Sequence, residues 1–131
     1  MTIADLFKTA KTIAVVGMSP KRIRPSYGVS QYMQDQGYRI IPVNPGHAGS
    51  EILGETVYAR LEDITEPVDI VDVFRQSDAV PEVVESAIRI GAKCVWLQEG
   101  VIHEEASQRA EAAGIFVVRD SCILKEHRKL N

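Results

Sequence analysis

IAVVGMSPK, residues Ile13 to Lys21, decides the fold, and RIRPSYGVSQYM (22–33) follows it directly. Ile13, Ala14, Val15 and Val16 are apolar without interruption. That is how a strand covered on both faces reads. The run stops at Gly17, passes Ser19, and enters three cations within four residues: Lys21, Arg22 and Arg24. A strand ending on glycine and leading into a helix is the opening of a nucleotide-binding unit. The dinucleotide fingerprint needs three glycines in G-x-G-x-x-G, and G-M-S-P-K has one. It also lacks the G-K-[ST] ending of a P-loop.

Working outward, four more short apolar runs repeat the pattern of the first: YRIIPV (38–43), VDIVDVF (68–74), KCVWL (93–97) and IFVV (115–118). Segments of helical period lie between them. SYGVSQYMQDQG (26–37) places Val29, Tyr32 and Met33 on one side and stops at Gly37. DAVPEVVESAIRIG (78–91) sets Val80, Val83, Val84, Ala87 and Ile88 on one stripe, tolerates Pro81 in its first turn and stops at Gly91. HEEASQRAEAAG (103–114) repeats Ala106, Ala110 and Ala113 behind Glu104 and Glu105. Thr2 and Asp5 mark a capping box before the first helix. Alternating strands and helices predict one α/β domain over residues 1–131, a Rossmann-like, doubly wound open parallel sheet of about five strands in the order 3-2-1-4-5. Ligands of such sheets bind beyond the carboxyl ends of the strands, at the switch point beside strand 1. Residues 44–67 have no long periodic run and read as short helical or extended pieces.

The totals narrow the partners. The chain has 131 residues, 45% hydrophobic and 25% charged, with a net charge of −3. That balance gives no global attraction to nucleic acid or to an anionic membrane, so an anion site must be local. No apolar leader and no run of membrane-spanning length is present. Cys94 and Cys122 are the only cysteines and fit neither a disulfide framework nor metal spacing. The expectation is a reduced cytoplasmic protein.

The first loop is then the centre of interest. Pro25 turns Arg24 away from helix, so the helix is expected near Ser26, with Ser26 as its cap. Loop amides and a helix N-terminus present positive charge to an anion, and Lys21, Arg22 and Arg24 add to it. A phosphate-rich ligand uses all of these; a solvated basic loop uses none. Strand 2 ends in VNP, with Asn44 where a nicotinamide dinucleotide site usually has an acid for the ribose, which disfavours NAD.

These segments carry a resemblance. VVGMSPK…RPSYGV, IIPVNP, ILGETVY, VDIVDVFR, AKCVWLQEGV and DSCILKEHR, in that order, resemble the YccU-like CoA-binding proteins over essentially the whole chain. The chain is also similar to the CoA-binding N-terminal domain of the succinyl-CoA synthetase α subunit, without that enzyme's other domain or partner subunit. The resemblance implies a small-molecule ligand, coenzyme A or an acyl-CoA, bound without catalysis. On it, Gly17, Ser19 and Lys21 lie against the pyrophosphate, Met18 belongs to the same cofactor-binding loop, and Arg24 or Arg22 neutralises phosphate. Asn44 and Pro45 border the adenosine, Phe74 and Arg75 form the next wall, and Gln98, Glu99 and Gly100 lie near the pantetheine arm.

Other residues bear on catalysis. His47 reads as a loop residue, His103 as a solvated first-turn residue and His127 as surface charge in LKEHRKL. Asp120 and Ser121 read as caps of the last helix. Asp69 suits a strand entrance, and Asp72, deeper in the same strand, needs a partner. Cys122, after strand 5, lies where a thiol could meet a CoA thiol. Three functions therefore stay open: a CoA-binding module, an enzyme acting on a CoA thioester or disulfide through Cys122 (or a drifted nicotinamide-nucleotide-binding protein), and a scaffold whose basic loop docks an acidic partner.

Overall fold

In chain order the computed structural model, which describes Met1–Asn131, runs α1 (Ile3–Thr9), β1 (Thr12–Val16), α2 (Pro25–Asp35) and β2 (Arg39–Val43). A hairpin of β3 (Glu51–Ile52) and β4 (Glu55–Thr56) follows. Then come β5 (Ile70–Val73), α3 (Val80–Ile90), β6 (Cys94–Leu97), α4 (Glu104–Ala112), β7 (Phe116–Val118) and α5 (Ile123–Lys129). Strands β1, β2, β5, β6 and β7 form one parallel sheet. The short pieces expected over 44–67 are the hairpin and two single helical turns, Pro45–His47 and Leu61–Asp63.

The apolar runs are continuous because the sheet is buried on both faces. Ala14, Val16, Val71, Val73, Val95 and Leu97 pack against α3 and α4. Ile13, Val15, Ile70, Cys94 and Trp96 point the other way, against Leu6 of α1, Met33 of α2 and Ile123 of α5. Trp96 is fully buried, and its indole N–H donates to the Ser121 carbonyl at 2.8 Å. That bond gives the large ring a polar anchor inside an apolar layer.

The sheet is doubly wound as expected, but its order is β2-β1-β5-β6-β7, or 2-1-3-4-5 in sequence terms, not 3-2-1-4-5. Pro42 gives the physical reason. Its carbonyl faces the outer side of β2 and accepts from the Tyr58 N–H at 3.0 Å. The N–H that proline lacks lies on that same side, so no full strand can be continued there, and proline belongs on an edge. A single bridge from Val43 to Tyr58 closes the edge instead. The chain then crosses the α3 face, buries Leu61, and delivers β5 beside β1. The switch point therefore lies between β1 and β5, as in the other doubly wound order.

Local expectations hold or fail for identifiable reasons. Thr2 and Asp5 do form the reciprocal capping box. Helix α2 starts at Pro25 with Arg24 at its cap, and Ser26 does not cap it. The Ser26 hydroxyl instead accepts from the Ser19 N–H. Neither Asp120 nor Ser121 caps α5, whose cap position is Cys122. Asp120 sits at φ +49° and accepts from the Gly100 N–H at 2.7 Å. His103 is itself the cap of α4, its Nδ1 accepting from the Ala106 N–H. His127 is not surface charge: it is buried among the rings of Phe7, Tyr32 and Tyr38 and hydrogen-bonded to the Tyr32 hydroxyl. Burial holds its imidazole below the usual value. Asp69 stands at the strand entrance as expected, accepting from the Lys11 and Thr12 N–H groups.

Candidate functional site

Gly17 leaves β1 at φ +85° beside the last residues of β5. A Cβ there would overlap the Phe74 carbonyl oxygen and press on the Arg75 side chain. The glycine is thus required where two strands part, both by its backbone angle and by the space available. Past it, the loop is stitched from inside. Ser26 accepts from the Ser19 N–H, and the Ser19 hydroxyl accepts from the Lys21 N–H. Asn44 donates to the Met18 carbonyl at 2.9 Å and accepts from the Gly46 N–H at 3.0 Å, tying this loop to the one after β2.

Three cavities share walls along the carboxyl edge of the sheet. One of about 400 Å³ is bounded by Gly17, Ser19, Lys21, Arg24, Ser26 and His47. Through Pro25 and Phe74 it adjoins a cleft of about 720 Å³ that includes Arg75, Gln98, Glu99, Gly100 and Cys122. Through Arg75 the cleft adjoins a third, of about 270 Å³, between Pro45, Arg60 and α3. Taken in the strand order β2-β1-β5-β6, these are a small pocket toward β2, a basic pocket beside the Gly17 loop, and a longer half-apolar cleft over β5 and β6.

Charge is distributed unevenly. Arg39, Arg60, Arg89, Lys93, Arg109, Arg119, Lys125 and Lys129 all form ion pairs within the protein. Lys8, Lys11, Lys21, Arg22, Arg24, Arg75 and Arg128 are in none of them, and Lys21, Arg24 and Arg75 line the cavities. Cations left without protein partners attract anions, whereas the N–H groups of Gly17, Ser19, Lys21 and Arg24 are already taken within the protein.

The cleft floor is polar in one place. Asp72, only 1% exposed, accepts from the Gln98 side-chain amide. Burial pushes its carboxyl up to about 7, with the Gln98 N–H acting against the shift. Burial likewise pushes the Cys94 thiol far up, helped by the Asp72 charge, so Cys94 is an inert member of the core. Cys122 is half-buried in the cleft wall. Glu99 pairs with Lys125 at 3.0 Å on the cleft rim.

Of the residues singled out in the sequence, Gly17, Ser19, Lys21, Arg24, Pro45, Phe74, Arg75, Gln98, Glu99 and Gly100 line the three cavities. Met18 and Asn44 do not. The Met18 side chain is fully buried in the core, and Asn44 serves as the tie between two loops. Arg22 is exposed and lies outside all three cavities. His47, expected from the sequence to be a surface loop residue, faces the basic pocket. Its position just beyond the carboxyl end of β2 was the available signal.

An open parallel sheet with a basic pocket at its switch point defines a Rossmann-like ligand-binding domain. The chain belongs to the CoA binding domain family, whose profile it matches over residues 11–128. It is 42% identical over 125 residues to YneT of Bacillus subtilis (strain 168), an alignment covering 95% of this chain and 91% of YneT. A solved Thermus thermophilus protein has 40% identity and a TM-score of 0.95, with 100% of both chains covered. The ADP-forming acetate–CoA ligase II of Archaeoglobus fulgidus is 29% identical over 111 residues. Those residues are 83% of this chain but 16% of the ligase, so the chain is homologous to one portion of a much larger enzyme. No helix is long and apolar enough to cross a membrane.

Proposed function

We propose that the chain binds coenzyme A, or an acyl-CoA, along the carboxyl edge of its sheet and acts as a binding module, not a catalyst. The observation that carries this reading is the clustering of unpaired Lys21, Arg24 and Arg75 on a trench whose basic pocket lies beside the Gly17 loop. CoA carries about four negative charges at neutral pH, concentrated at one end, followed by an uncharged arm. The trench has the same asymmetry. Gly17, Ser19 and Lys21 take the pyrophosphate, and Arg24, with Arg22 at the rim, takes a further phosphate. Met18 and Asn44 fix the shape of that loop. Pro45 borders the adenosine, Phe74 and Arg75 the middle of the trench, and Gln98, Glu99 and Gly100 the pantetheine arm.

Two or three charge-assisted bonds, each netting roughly 1.5–3 kcal/mol, give micromolar binding after association costs. Two of the three histidines have structural roles, His103 capping a helix and His127 packing against Tyr32, and His47 faces the basic pocket. The two free cysteines suit a reducing, cytoplasmic setting. A thermal-shift titration tests the proposal. CoA should raise the melting temperature by mass action, with dephospho-CoA weaker if the 3′-phosphate is read. No response to either ligand refutes it.

Cys122 favours a second reading, chemistry at the ligand's thiol, because it lines the same cleft. Turnover of a CoA thioester or CoA disulfide that disappears in Cys122→Ser would establish that reading in place of the first.

A further inference from the structure

Gln98 is 95% removed from solvent yet lines the cleft. Its amide nitrogen donates to Asp72, and its Oε1 has no partner within the protein. Ser30 Oγ is the sole fully enclosed side-chain polar atom lacking a partner, so the unpaired Gln98 oxygen must open onto the cleft. A nearly buried acceptor left unmet costs stability unless a ligand satisfies it.

Resting on the coenzyme reading above, we propose that Asp72 is a positioning residue that fixes which end of the Gln98 amide faces the cleft, making the floor an acceptor for an amide N–H of the ligand's arm. An ionised carboxylate has no proton to give, so only the nitrogen end of Gln98 can face it. The oxygen end is then held toward the ligand. A protonated Asp72 can donate to that oxygen, the amide turns over, and the cleft meets the ligand with N–H groups instead. The same floor then repels the amide N–H it previously accepted.

Asp72 is placed to make this change near neutral pH, since burial pushes its carboxyl up to about 7. Its strand neighbours in register, Val15 on β1 and Trp96 on β6, do not titrate there. Cys94 on β6 is the titratable group coupled to it, and that thiol stays neutral. No cation or second carboxylate contributes to its shift. A ligand that donates N–H binds the ionised form, so its affinity is full above about pH 7 and falls as the pH drops through that value.

The test is calorimetric titration at pH 6 and pH 8 with two probes. CoA carries the amide arm; adenosine 3′,5′-bisphosphate carries phosphates but no arm. Any pH effect at the phosphate end acts on both probes, so the ratio of their affinities isolates the arm. In the wild type this ratio should rise about fivefold to tenfold from pH 6 to pH 8, the worth of one hydrogen bond. In Asp72→Asn it should be low and flat with pH, while the bisphosphate binds unchanged. Gln98→Met should behave in the same way, and it carries the test if Asp72→Asn fails to fold. A ratio that stays wild-type in either variant, or equal loss of both probes, overturns the proposal while leaving CoA binding intact. Failure of the wild type to bind CoA at all overturns the coenzyme reading itself.

Discussion

The two edges of the one sheet treat charge in opposite ways. At the amino edge, Asp69 accepts from two backbone N–H groups and pairs with Lys93, and Arg39 is held between Glu55 and Glu66. At the carboxyl edge, Lys21, Arg24 and Arg75 stand over open pockets with no partner. The strands that join these edges are the same, so the difference lies in the loops. Charges paired at the strand entrances stabilise the sheet, whereas unpaired cations over the pockets leave capacity for a ligand, although each edge also holds the other kind: the Lys11 side chain forms no ion pair and Glu99 pairs with Lys125. The chain belongs to the CoA binding domain family, and on the function proposed above that ligand is coenzyme A.

The carboxyl edge is most sensitive at Gly17. Gly17→Val places a branched side chain at positive φ against the Phe74 carbonyl. We expect a loss of roughly 2–4 kcal/mol in urea unfolding and no measurable CoA binding by calorimetry. Next, Lys21→Ala and Arg24→Ala should each weaken CoA binding by about tenfold or more, because each removes a charge-assisted contact. Their unfolding free energies should stay within about 0.5 kcal/mol of wild type, as surface changes normally do.

Asp69→Ala should show the reverse pattern at the other edge. It strips two strand-entrance N–H groups of their acceptor. Stability should fall by about 2–3 kcal/mol with CoA affinity unchanged. Burial alone would raise the Asp69 carboxyl, but the Lys11 and Thr12 N–H groups and Lys93 hold it below its usual 3.8. Its stabilisation is therefore complete above that value and is lost as pH falls through the lowered one. In Asp69→Asn, urea midpoints measured from pH 5 to pH 2 should lose that share of the acid dependence. The smallest effect is expected for Arg39→Ala, about 1 kcal/mol or less, because the network it breaks is solvent-screened.

What the sequence revealed followed from burial on both faces. The uninterrupted runs at 13–16 and 70–73 could be read as parallel strands because no polar residue is needed on either side of them, Asp72 excepted. Strand order was less accessible. Which side of β1 receives β5 depends on where the 44–69 connection crosses, and its one local trace is Pro42 on the outer edge. His127 reads as surface in a basic tail, since its burial requires Phe7 of α1, Tyr32 of α2 and Tyr38 just before β2 to converge on it. Ser26 and Asp120 have the composition of helix caps, but each is claimed by a loop amide that tertiary structure brings nearer. The cationic loop was legible because its residues are adjacent in the chain. The Asp72–Gln98 pair was not, because 26 residues separate its members.

The difference between the edges can be read residue by residue from backbone amide NMR shifts during a CoA titration. Saturable shifts at Gly17, Ser19, Arg75 and Gly100, with Lys11, Thr12 and Lys93 unmoved, are the expected result. Shifts confined to the amino edge, or none at millimolar CoA, would contradict a coenzyme site at the carboxyl edge.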